Sequence, residues 1–596
     1  MAHRSPHRML VLLVLLAAAA GCGKTLVDEN GKNLIPSVCS CTAPIGGSPV
    51  CNPDGSCDYV CTGALLKCGG ECIACSAPAN AIPACVQGAC GFACNSSTRL
   101  CPAAAGGAPT CQPEGDASCG PTCAACPGPA AGPGRGVCQA GPAIGAGTCA
   151  LVCDAGNHAC GASCFADDDA ASCGASCQVC SAPANASPLC TGGACAFACN
   201  PGWMRCADGC CRAEAVAAGG EFTCAILDDG RVRCWGANDR GQLGDGSTLY
   251  RPVPVDVAGL PGAPSRALTI AAGWSHACAV VSQGGQVFCW GDNTTGELGP
   301  AATGPFSPLP VPVTGVFGVP APVFPWSPPA VAAGGGVSGT PPASFGHSCA
   351  ASSGGLVCWG ANGSGQLGDG STLQSATPRA VSGISAASSV AAGERHTCAV
   401  SGGALRCWGA NGSGQLGDGT TTASSTPRAV TTTSFPAGLP TFAAAARASS
   451  CAIVGTPAAL FCWGDNAEGQ VTTSPPPPAT QLTPVAPSLG GGFSPGFVAA
   501  GRAHVCGLEP GSNTIKCFGA NGQSQLSGAA TVTGKNDVVL VGPAGGLANT
   551  VAAGGDHTCA LLVDGSIQCW GANDRGQCGI GSTSAPVQTP AFVSGR

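Results

Sequence analysis

The chain has 596 residues, only 9% of them charged, and its formal net charge at pH 7 is -7. Glycine occupies 94 positions, so many turns and little helix are expected, and the absence of any Lys or Arg run excludes nucleic acid as a partner. The 46 cysteines exclude an ordinary cytosolic protein and are typical of an exported chain whose thiols oxidise to disulfides.

The first 21 residues have the layout of a secretory signal. Arg4 and Arg8 form a basic start, and positions 9–20 form a twelve-residue apolar stretch that is too short to span a bilayer. Residues 1–21 are therefore predicted to direct export and to be removed.

The end of this signal, Ala-Ala-Gly-Cys, resembles a bacterial lipobox, although Ala19 stands where such sites usually carry Leu. The resemblance implies cleavage before Cys22 and diacylation of its thiol. Because Gly23 rather than Asp follows, it also implies an anchor in the outer membrane of a Gram-negative cell. An ordinary signal peptide with Cys22 as a free or paired thiol is the alternative.

Residues 22–50 are predicted to form a tether and residues 51–211 a stalk of small disulfide-stapled modules. Thirty cysteines lie between Cys39 and Cys211, in a segment with almost no aliphatic periodicity. The stretch CGGECIACSAPANAIPACVQGACGFACN from Cys68 matches CGASCQVCSAPANASPLCTGGACAFACN from Cys173, and a looser copy starts at Cys119. Covalent loop closure rather than burial is expected to hold each module, with a connectivity that the sequence does not reveal.

Three Cys-x2-Cys pairs in the stalk have alternative interpretations as zinc half-sites or redox pairs. Zinc would need thiolates in a reducing compartment, and a thioredoxin-type motif needs a strand-to-helix context that these Gly- and Pro-rich stretches lack. Disulfides are therefore preferred. The pairs are Cys72 with Cys75, Cys123 with Cys126, and Cys177 with Cys180.

Two other polar features of the stalk are interpreted without a metal. His158 has no partner histidine at metal-ligand spacing and is expected to be an exposed residue. The triplet Asp167, Asp168 and Asp169 lacks the alternating oxygen ligands of a calcium loop and is expected to form a solvated turn.

Residues 212–596 repeat a pair of phrases, VAAGGEFTC and CWGAN, in seven copies at a period of 49 to 71 residues. In the fourth copy, a two-residue turn at Gly402 and Gly403 places Cys398 opposite Cys407, at a distance that suits a disulfide. Each copy is therefore predicted to be a β-hairpin with a disulfide across its strands. The predicted pairs are Cys224 with Cys234, Cys278 with Cys289, Cys349 with Cys358, Cys398 with Cys407, Cys451 with Cys462, Cys506 with Cys517, and Cys559 with Cys569.

An aromatic residue follows the second cysteine in every copy. Seven equivalent large side chains at a fixed step are expected to pack between neighbouring sheets rather than to bind seven ligands. Seven β-rich units of this size suit a propeller, in which radial closure leaves only short edges. The aromatic residues are Trp235, Trp290, Trp359, Trp408, Trp463, Phe518 and Trp570.

The phrase G-x-x-H-[ST]-C-A-[LV], a hairpin and then W-G-x-N-x-x-G-Q-L-G resembles the repeat of the regulator of chromosome condensation family. The resemblance covers about 216 to 596 and implies a seven-bladed β-propeller. The predicted fold is therefore all-β, with the propeller preceded by small disulfide-rich, loop-rich modules. All seven copies keep the asparagine of the motif: Asn238, Asn293, Asn362, Asn411, Asn466, Asn521 and Asn573.

Some copies depart from the family pattern and are expected to pack less regularly. Copy five has Ser449 where five others carry histidine, and copy six has Phe518 and Ser524. Copy seven has Cys578 in place of Leu, the one cysteine left over after pairing. Cys578 is expected to be a buried hydrophobe, with an intermolecular link as the alternative.

Catalytic chemistry has no support in the sequence. The chain has no H-E-x-x-H or phosphate-loop motif, and the recurring Asp245, Asp369 and Asp418 supply one carboxylate per loop, which favours turns over calcium cages. A catalytic histidine is normally unique, so five copies at one position indicate hydrogen-bonding architecture. No enzyme activity, metal or cofactor is predicted. The histidines are His276, His347, His396, His504 and His557.

The leading hypothesis is a non-enzymatic lipoprotein of the cell surface, tethered through Cys22, whose propeller presents loops to an extracellular protein or glycan. A structural envelope or matrix component without a specific ligand is the alternative, and a propeller hydrolase comes third.

The segment from Pro300 to Ala343 is the candidate ligand loop, because it places large aromatic side chains among many prolines. A poorly ordered insertion packed on the propeller rim is the alternative. The aromatic residues are Phe306, Phe317, Phe324 and Trp326.

Overall fold

The computed structural model describes most of the chain from residue 153 to 595 and, before that, residues 130–131 and the strands between residues 47 and 153. Cys22, the predicted signal and most of the predicted tether lie outside the described residues. The gaps after residue 153 are 175, 207–208, 262–264, 321–329, 339–342, 436–437, 473–478, 490–492, 510–514, 528–530, 539–545 and 584.

The chain divides into two compact units, the first comprising residues 1–180 and 190–195 and the second residues 181–189 and 196–596. The second unit therefore begins before residue 212, the predicted start of the propeller. Met204 explains this difference, because it is buried in one apolar cluster with Leu561, Ile567 and Val593 of the last blade.

Short hairpins make up the described part of the Cys-rich region. Gly- and Pro-rich connections stop each strand after a few residues, so each sheet has only two strands. Consecutive pairs are Gly47–Cys51 and Cys57–Cys61, Leu66–Cys68 and Glu71–Ile73, Ala81–Val86 and Ala89–Cys94, Thr98–Cys101 and Thr110–Pro113, Gly134–Gln139 and Thr148–Cys153, Asn157–Cys160 and Ser163–Ala166, Ala186–Thr191 and Ala194–Cys199, and Met204–Cys206 and Gly209–Cys211.

Disulfides in the described part of this region join strands of different hairpins, join a turn to a strand, or, in Cys206–Cys211, cross a single hairpin. Cys177 and Cys180 are bonded to Cys160 and Cys195 respectively, so this Cys-x2-Cys pair is not a redox disulfide. The full set is Cys153–Cys164, Cys160–Cys177, Cys173–Cys190, Cys180–Cys195, Cys199–Cys210 and Cys206–Cys211.

His158 differs from its prediction as an exposed residue. Its side chain is only 15% exposed, Nδ1 lies 3.2 Å from Asp167 Oδ1, and Nε2 contacts the carbonyl oxygen of Ser172. The neighbouring Asp169 accepts a hydrogen bond from the Ala171 amide, as a turn residue does. His158 is therefore part of the hydrogen bonding that shapes this turn.

The predicted all-β fold is confirmed, because seven four-stranded antiparallel sheets form a seven-bladed propeller. The blades are, in order, Ala213–Ala218, Phe222–Leu227, Val232–Gly236 and Arg251–Asp256; Ala267–Ala272, His276–Val281, Gln286–Asp292 and Phe306–Pro312; Val331–Gly334, His347–Ser352, Gly355–Gly360 and Ser375–Ala380; Ser389–Ala392, His396–Ser401, Ala404–Gly409 and Ser424–Ala429; Pro440–Ala445, Ser449–Val454, Ala459–Asp465 and Thr480–Val485; Phe497–Ala500, His504–Leu508, Ile515–Asn521 and Thr531–Val538; Ala548–Ala553, His557–Leu562, Ile567–Gly571 and Val587–Phe592. No helix in the described residues is long and apolar enough to cross a membrane.

Each blade places its strands in the order inner, second, third and outer. The connections from inner to second strand and from third to outer strand lie at one end of the sheets, which we call the upper face. The hairpins between second and third strands lie at the other end, the lower face. In the fourth blade this hairpin turns at Gly402 and Gly403, whose φ angles of 58° and 75° are those that a two-residue hairpin turn requires.

A disulfide crosses the second and third strands in all seven blades. The paired cysteines are direct register partners, and their Cα atoms lie 4.0 or 4.1 Å apart. The structure therefore places every blade cysteine opposite the residue that the repeat assigns to it. The disulfides join Cys224 with Cys234, Cys278 with Cys289, Cys349 with Cys358, Cys398 with Cys407, Cys451 with Cys462, Cys506 with Cys517, and Cys559 with Cys569.

Apolar clusters lie between neighbouring blades. In one of them the disulfide of Cys349 and Cys358 packs in the same cluster as Val390 and Trp408 of the next blade. Disulfide and aromatic residue together therefore fill the space between sheets, as their fixed spacing in the repeat requires.

The segment from Pro300 to Ala343 is not a single loop, because it contains the outer strand of the second blade and the inner strand of the third. Phe306 begins that outer strand at the upper face, whereas Phe317 follows its lower end. The two side chains are 37% and 59% exposed and cannot share one ligand surface. Phe324 and Trp326 lie outside the described residues.

Candidate binding face of the propeller

The inner strands meet around the propeller axis, and six of the seven reach it through a glycine. A Cβ atom on any of these glycines would lie 2.3 to 2.8 Å from a carbonyl oxygen of the next blade, which no side chain tolerates. Ala446 has the equivalent position in the fifth blade. The six glycines are Gly219, Gly273, Gly334, Gly393, Gly501 and Gly554.

The five repeated histidines connect neighbouring blades through hydroxyl groups. Each histidine Nε2 lies 2.8 or 2.9 Å from the Oγ of a Ser or Thr in the next blade. The last pair, His557 and Thr223, joins the seventh blade to the first and closes the ring. The others are His276 with Ser348, His347 with Thr397, His396 with Ser450 and His504 with Thr558.

The bonding pattern fixes the proton on each imidazole. Every one of these hydroxyls donates to a backbone carbonyl 2.9 or 3.0 Å away, so the histidine Nε2 must donate to the hydroxyl oxygen. Burial keeps the rings neutral, lowering the pKa of His276 and His396 to about 4 and that of His347, His504 and His557 to about 3. These histidines therefore hold the blades together and do not face a substrate.

Two blade interfaces lack this bond, and in both the two positions have changed together. The first blade has Phe222 where the histidine would be, and the second blade has Ala277 in place of the hydroxyl. The fifth blade has Ser449, and the sixth has Val505. Both changes can be read from the aligned repeats, but only the contacts between blades show that the lost histidine and the lost hydroxyl would have bonded to each other.

Replacing Thr397 with Val tests the blade-to-blade bond. The Nε2 hydrogen of His347 would lose its acceptor in a fully buried site, which we expect to cost about 1–3 kcal/mol of unfolding free energy. Val505→Thr is the matched control, since Ser449 is not an imidazole donor. Denaturant unfolding gives the change in unfolding free energy for each variant. Equally small changes in the two variants would contradict a stabilising role for the histidine bond.

Six of the seven interfaces also carry an indole bond to the corresponding carbonyl, whereas Phe518, between the fifth and sixth blades, has no N–H to donate. Trp235 Nε1 donates to the Gln577 carbonyl at 3.0 Å, and Thr223 Oγ1 donates to that oxygen at 2.9 Å. The aromatic positions are thus fully buried packing sites rather than ligand sites. The indole bond recurs at 2.9 or 3.0 Å in Trp290, Trp359, Trp408, Trp463 and Trp570.

The asparagine repeated in every copy shapes the loops of the upper face. Asn238 Oδ1 accepts from the Leu243 amide at 3.0 Å, and its Nδ2 donates to the carbonyl oxygens of Ser247 and Leu249 at 3.1 Å. Asp245 accepts from the amide and hydroxyl of Ser247. These carboxylate oxygens accept hydrogen bonds from donors of the same loop, as in a turn.

Glu297 stands where the other six blades carry glutamine. Its Oε2 accepts from the amide and the hydroxyl of Thr295, both at 2.8 Å, while Oε1 is buried without a hydrogen-bond partner. Burial, aided by the charge of Asp292, raises the pKa of Glu297 to about 7. Because of this raised pKa, Glu297 takes up a proton as the pH falls through about 7, whereas the glutamine of the other blades does not titrate.

A cavity of about 410 Å³ opens on the axis at the upper face and is lined mostly by alanine and glycine. Trp274, Glu394, Arg447 and Arg502 are its largest lining side chains. Arg447 Nε lies 2.9 Å from Glu394, and Arg502 Nη2 lies 2.7 Å from Asp556 Oδ2. The rim is therefore charged around an apolar, backbone-lined centre.

The third blade makes this rim asymmetric. Its inner and second strands are joined by an extra ladder of Val337–Ser338 and Ala343–Ser344. Phe345 follows this ladder and stacks against Arg395, whose Cζ lies 3.4 Å from the ring centroid. Phe345 and Trp274 were not among the predicted ligand aromatics, because neither belongs to a recurring motif.

The predicted leftover cysteine is buried. Cys578 lies in an apolar cluster with Trp235 and Leu561, in the position that most other blades fill with leucine, and burial raises the pKa of its thiol. It is the free cysteine of the described residues.

Two groups in the described residues have the proximity of metal ligands. One is Cys173 with Cys180 and Cys195, and the other is Cys206 with Cys211 and Asp229. All five cysteines are in disulfides, so their sulfurs are not thiolate ligands.

Comparison with known families identifies the repeat. The Regulator of chromosome condensation (RCC1) repeat matches residues 229–280 and 353–400, and a second description of that repeat matches 214–242, 268–297, 387–415 and 549–577.

Curated relatives share parts of the propeller. The human E3 ubiquitin-protein ligase HERC2 is 38% identical over 88 residues, which are 15% of this chain and only 2% of HERC2. The ultraviolet-B receptor UVR8 of Arabidopsis thaliana is 27% identical over 378 residues, covering 63% of this chain and 69% of the receptor.

Solved structures share the fold at low identity. Human WBSCR16 superposes with a TM-score of 0.50 at 19% identity, over 61% of this chain and 94% of that one. Yeast RCC1 (Prp20), solved bound to Kap60, gives a TM-score of 0.50 at 19% identity, over 64% of this chain and 85% of that one.

Proposed function

We propose, from the premise that this chain carries RCC1 repeats in a seven-bladed β-propeller, that it is a non-enzymatic binding protein of the cell surface. A lipid on Cys22 tethers it, and the upper face of the propeller binds a protein or glycan outside the cell. The observation that carries the proposal is the axial cavity with its asymmetric rim of arginine, carboxylate and aromatic side chains.

The composition of this rim supports binding. Arginine, tryptophan and tyrosine are enriched among the residues that contribute most to protein interfaces. Here Arg395 stacks on Phe345, and elsewhere on the upper face the Arg575 guanidinium lies 4.9 Å from the ring centroid of Tyr250. Stacked arginines lose less conformational freedom on binding than extended ones, which favours a defined interface.

The frame that presents this rim is suited to a preorganised site. A disulfide crosses every blade, and hydrogen bonds between buried groups join most blades to the next. Such a frame changes little when a ligand binds, so little binding energy is lost to ordering. The repeated histidines are buried and bonded to neighbouring blades within this frame, which is why we propose binding rather than catalysis.

The relatives agree with a binding role without assigning a ligand. The solved yeast propeller is in complex with another protein, Kap60, which supports a protein ligand by analogy. HERC2 is a ligase, but it matches this chain over 88 residues only, so ligase activity is not proposed.

The binding proposal is tested with the chain from residue 23 to 596, immobilised and exposed to purified surface proteins and to a glycan array. We expect one ligand to bind stoichiometrically. Substitution of Trp274 by Ala, at the axial cavity, should weaken this binding. Phe317→Ala, at the lower face, is the matched control. A folded chain that retains neither protein nor glycan would favour the structural alternative.

Cys22→Ser tests the lipid anchor. Without the thiol, diacylation is impossible, and we expect the protein to move from the membrane fraction to the soluble fraction and to lose incorporated labelled palmitate. Cys22 is the residue that the lipobox resemblance identifies, so Cys39→Ser is the control for loss of a cysteine. Membrane association unchanged in Cys22→Ser would contradict the anchor.

A further inference from the structure

The interface between the fifth and sixth blades differs from the others near the axis. Ala446 has the position that glycine holds in six blades, where a Cβ atom would meet the next blade's carbonyl at 2.3 to 2.8 Å. The methyl group of Ala446 therefore requires more space between these two blades than the glycines allow elsewhere. We call this interface the 5/6 seam.

The 5/6 seam also lacks the bond between histidine and hydroxyl. Ser449 and Val505 replace that pair, and Ser449 Oγ is buried without a hydrogen-bond partner. The other interface without a histidine, between the first and second blades, keeps Gly219 against the Gly273 carbonyl. The 5/6 seam therefore lacks both the axial glycine and the bond between histidine and hydroxyl.

A second cavity, of about 350 Å³, opens at the upper end of this seam. Its walls come from the fifth blade, through Asp465 and Glu468, and from the sixth, through Gln523 and Gln525. Arg447 and Arg502 line this cavity and the axial cavity alike. The two spaces therefore meet at a pair of arginines.

The two arginines form the cationic side of the seam cavity. Their side chains are 54% and 43% exposed, and each is held by one carboxylate, Arg447 by Glu394 and Arg502 by Asp556. A guanidinium has five N–H donors, and one carboxylate engages at most two or three of them. Donors on both arginines remain for an incoming anion, with the guanidinium planes already oriented.

Two carboxylates of the fifth blade, Asp465 and Glu468, also line the seam cavity. Asp465 is fixed by the amide of Ala467 at 3.4 Å and by the side-chain amide of Gln470 at 3.2 Å. Glu468 is fixed through its backbone amide, which donates to Gln470 Oε1 at 2.9 Å, and its carboxylate forms no ion pair with any described residue. The lining of the seam cavity therefore includes both cationic and anionic side chains.

We propose that the 5/6 seam is a binding site for a protein segment that carries an acidic and a basic side chain close together. The acidic side chain bonds to Arg447 and Arg502, and the basic one to Glu468. A lining with side chains of both charges favours such a segment over a uniformly charged one, because each like-charged contact would be repulsive. The inference rests on the proposed function, since it names a partner chemistry for the same face.

Four synthetic nonapeptides on a neutral Gly-Ser frame test the proposal, bearing one Glu and one Lys two residues apart, Glu alone, Lys alone, or neither. They are immobilised and probed with the chain from residue 23 to 596. We expect the Glu-Lys peptide to bind at least about tenfold more strongly than the neutral one, as two charge-assisted contacts imply.

Two variants assign the contacts. Arg447→Gln with Arg502→Gln should reduce binding of the Glu-Lys peptide about tenfold, and Glu468→Gln should remove the advantage that Lys adds. The control is Arg379→Gln with Arg428→Gln, which removes the same charge from exposed outer strands of the third and fourth blades. Thermal unfolding of each variant confirms that the propeller is intact.

Equal binding of the four peptides, or equal losses in the two double-arginine variants, would overturn the site. A stoichiometric ligand of the whole chain that still binds Arg447→Gln with Arg502→Gln would also overturn it, while leaving the proposed function standing. Selective peptide binding by a chain that captures no surface protein would instead support the site and count against the proposed cell-surface role.

Discussion

The propeller is expected to lose stability steeply as the pH falls from about 6.5 to about 4. Burial holds the pKa of five histidines at about 3 or 4 in the folded chain, whereas an unfolded chain protonates them near pH 6.5. Below pH 6.5 the unfolded state therefore binds up to five more protons. Each contributes about 1.4 kcal/mol per pH unit, so the slope approaches about 7 kcal/mol per pH unit.

One buried carboxyl acts in the opposite direction. The pKa of Glu297, raised to about 7, means that the folded chain holds a proton that the unfolded chain releases above pH 4.5. Its contribution to stability is therefore lost as the pH rises through that window. One proton cannot offset five, and Glu297→Gln removes this contribution for comparison.

Thermal unfolding at fixed scan rate between pH 7.5 and 4.5 measures the acid effect. His347→Gln combined with Thr397→Val removes one histidine and its partner, and should reduce the pH dependence by about one fifth of the total. An unfolding temperature that stays constant over this range would show that the imidazoles are not held neutral.

The seven blade disulfides are expected to resist reductant in the native protein and to be essential for refolding. Each closes a loop of 9 to 11 residues, which corresponds to about 3 kcal/mol of lost chain entropy in the unfolded state. Seven together contribute about 20 kcal/mol, more than the roughly 5–15 kcal/mol by which domains are typically stable. A reduced chain should not refold.

Burial explains the resistance. The blade cysteines are at most 1% exposed, so a thiol reagent reaches them only after a blade opens. The chain offers its own control in Cys180–Cys195, where Cys195 is exposed. With dithiothreitol and iodoacetamide at pH 7.5, mass spectrometry should find alkylation at Cys195 and none at the blade pairs until denaturant is added.

Dilution from denaturant should restore the far-ultraviolet spectrum only when the blade disulfides are intact. Rapid alkylation of Cys349 or Cys398 in native protein would contradict the predicted protection. Recovery of the native spectrum by the fully reduced chain would show that packing alone maintains the propeller.

Several features of the propeller were predictable because their partners are close in the chain. A cysteine pair 9 to 11 residues apart around a glycine turn specifies one hairpin, and seven copies specify seven blades. The aromatic residue after the second cysteine was predicted to pack between sheets, and it is fully buried there. The segment 300–343 was predicted as one loop, whereas it contains the outer strand Phe306–Pro312, whose prolines at 308, 310 and 312 are more typical of loops and strand edges.

By itself, the sequence determined the all-β class, the number of blades, the hairpin partners and the positions of the buried aromatics, since each depends on a short repeated pattern. Only the tertiary structure decided which hydroxyl each histidine meets, 50 to 334 residues away, and that Ala446 stands at the axial position where six blades have glycine. The physical reason is ring closure. A contact between blades depends on the spacing that all seven sheets adopt together, so one methyl group or one missing imidazole matters only once the circle is complete.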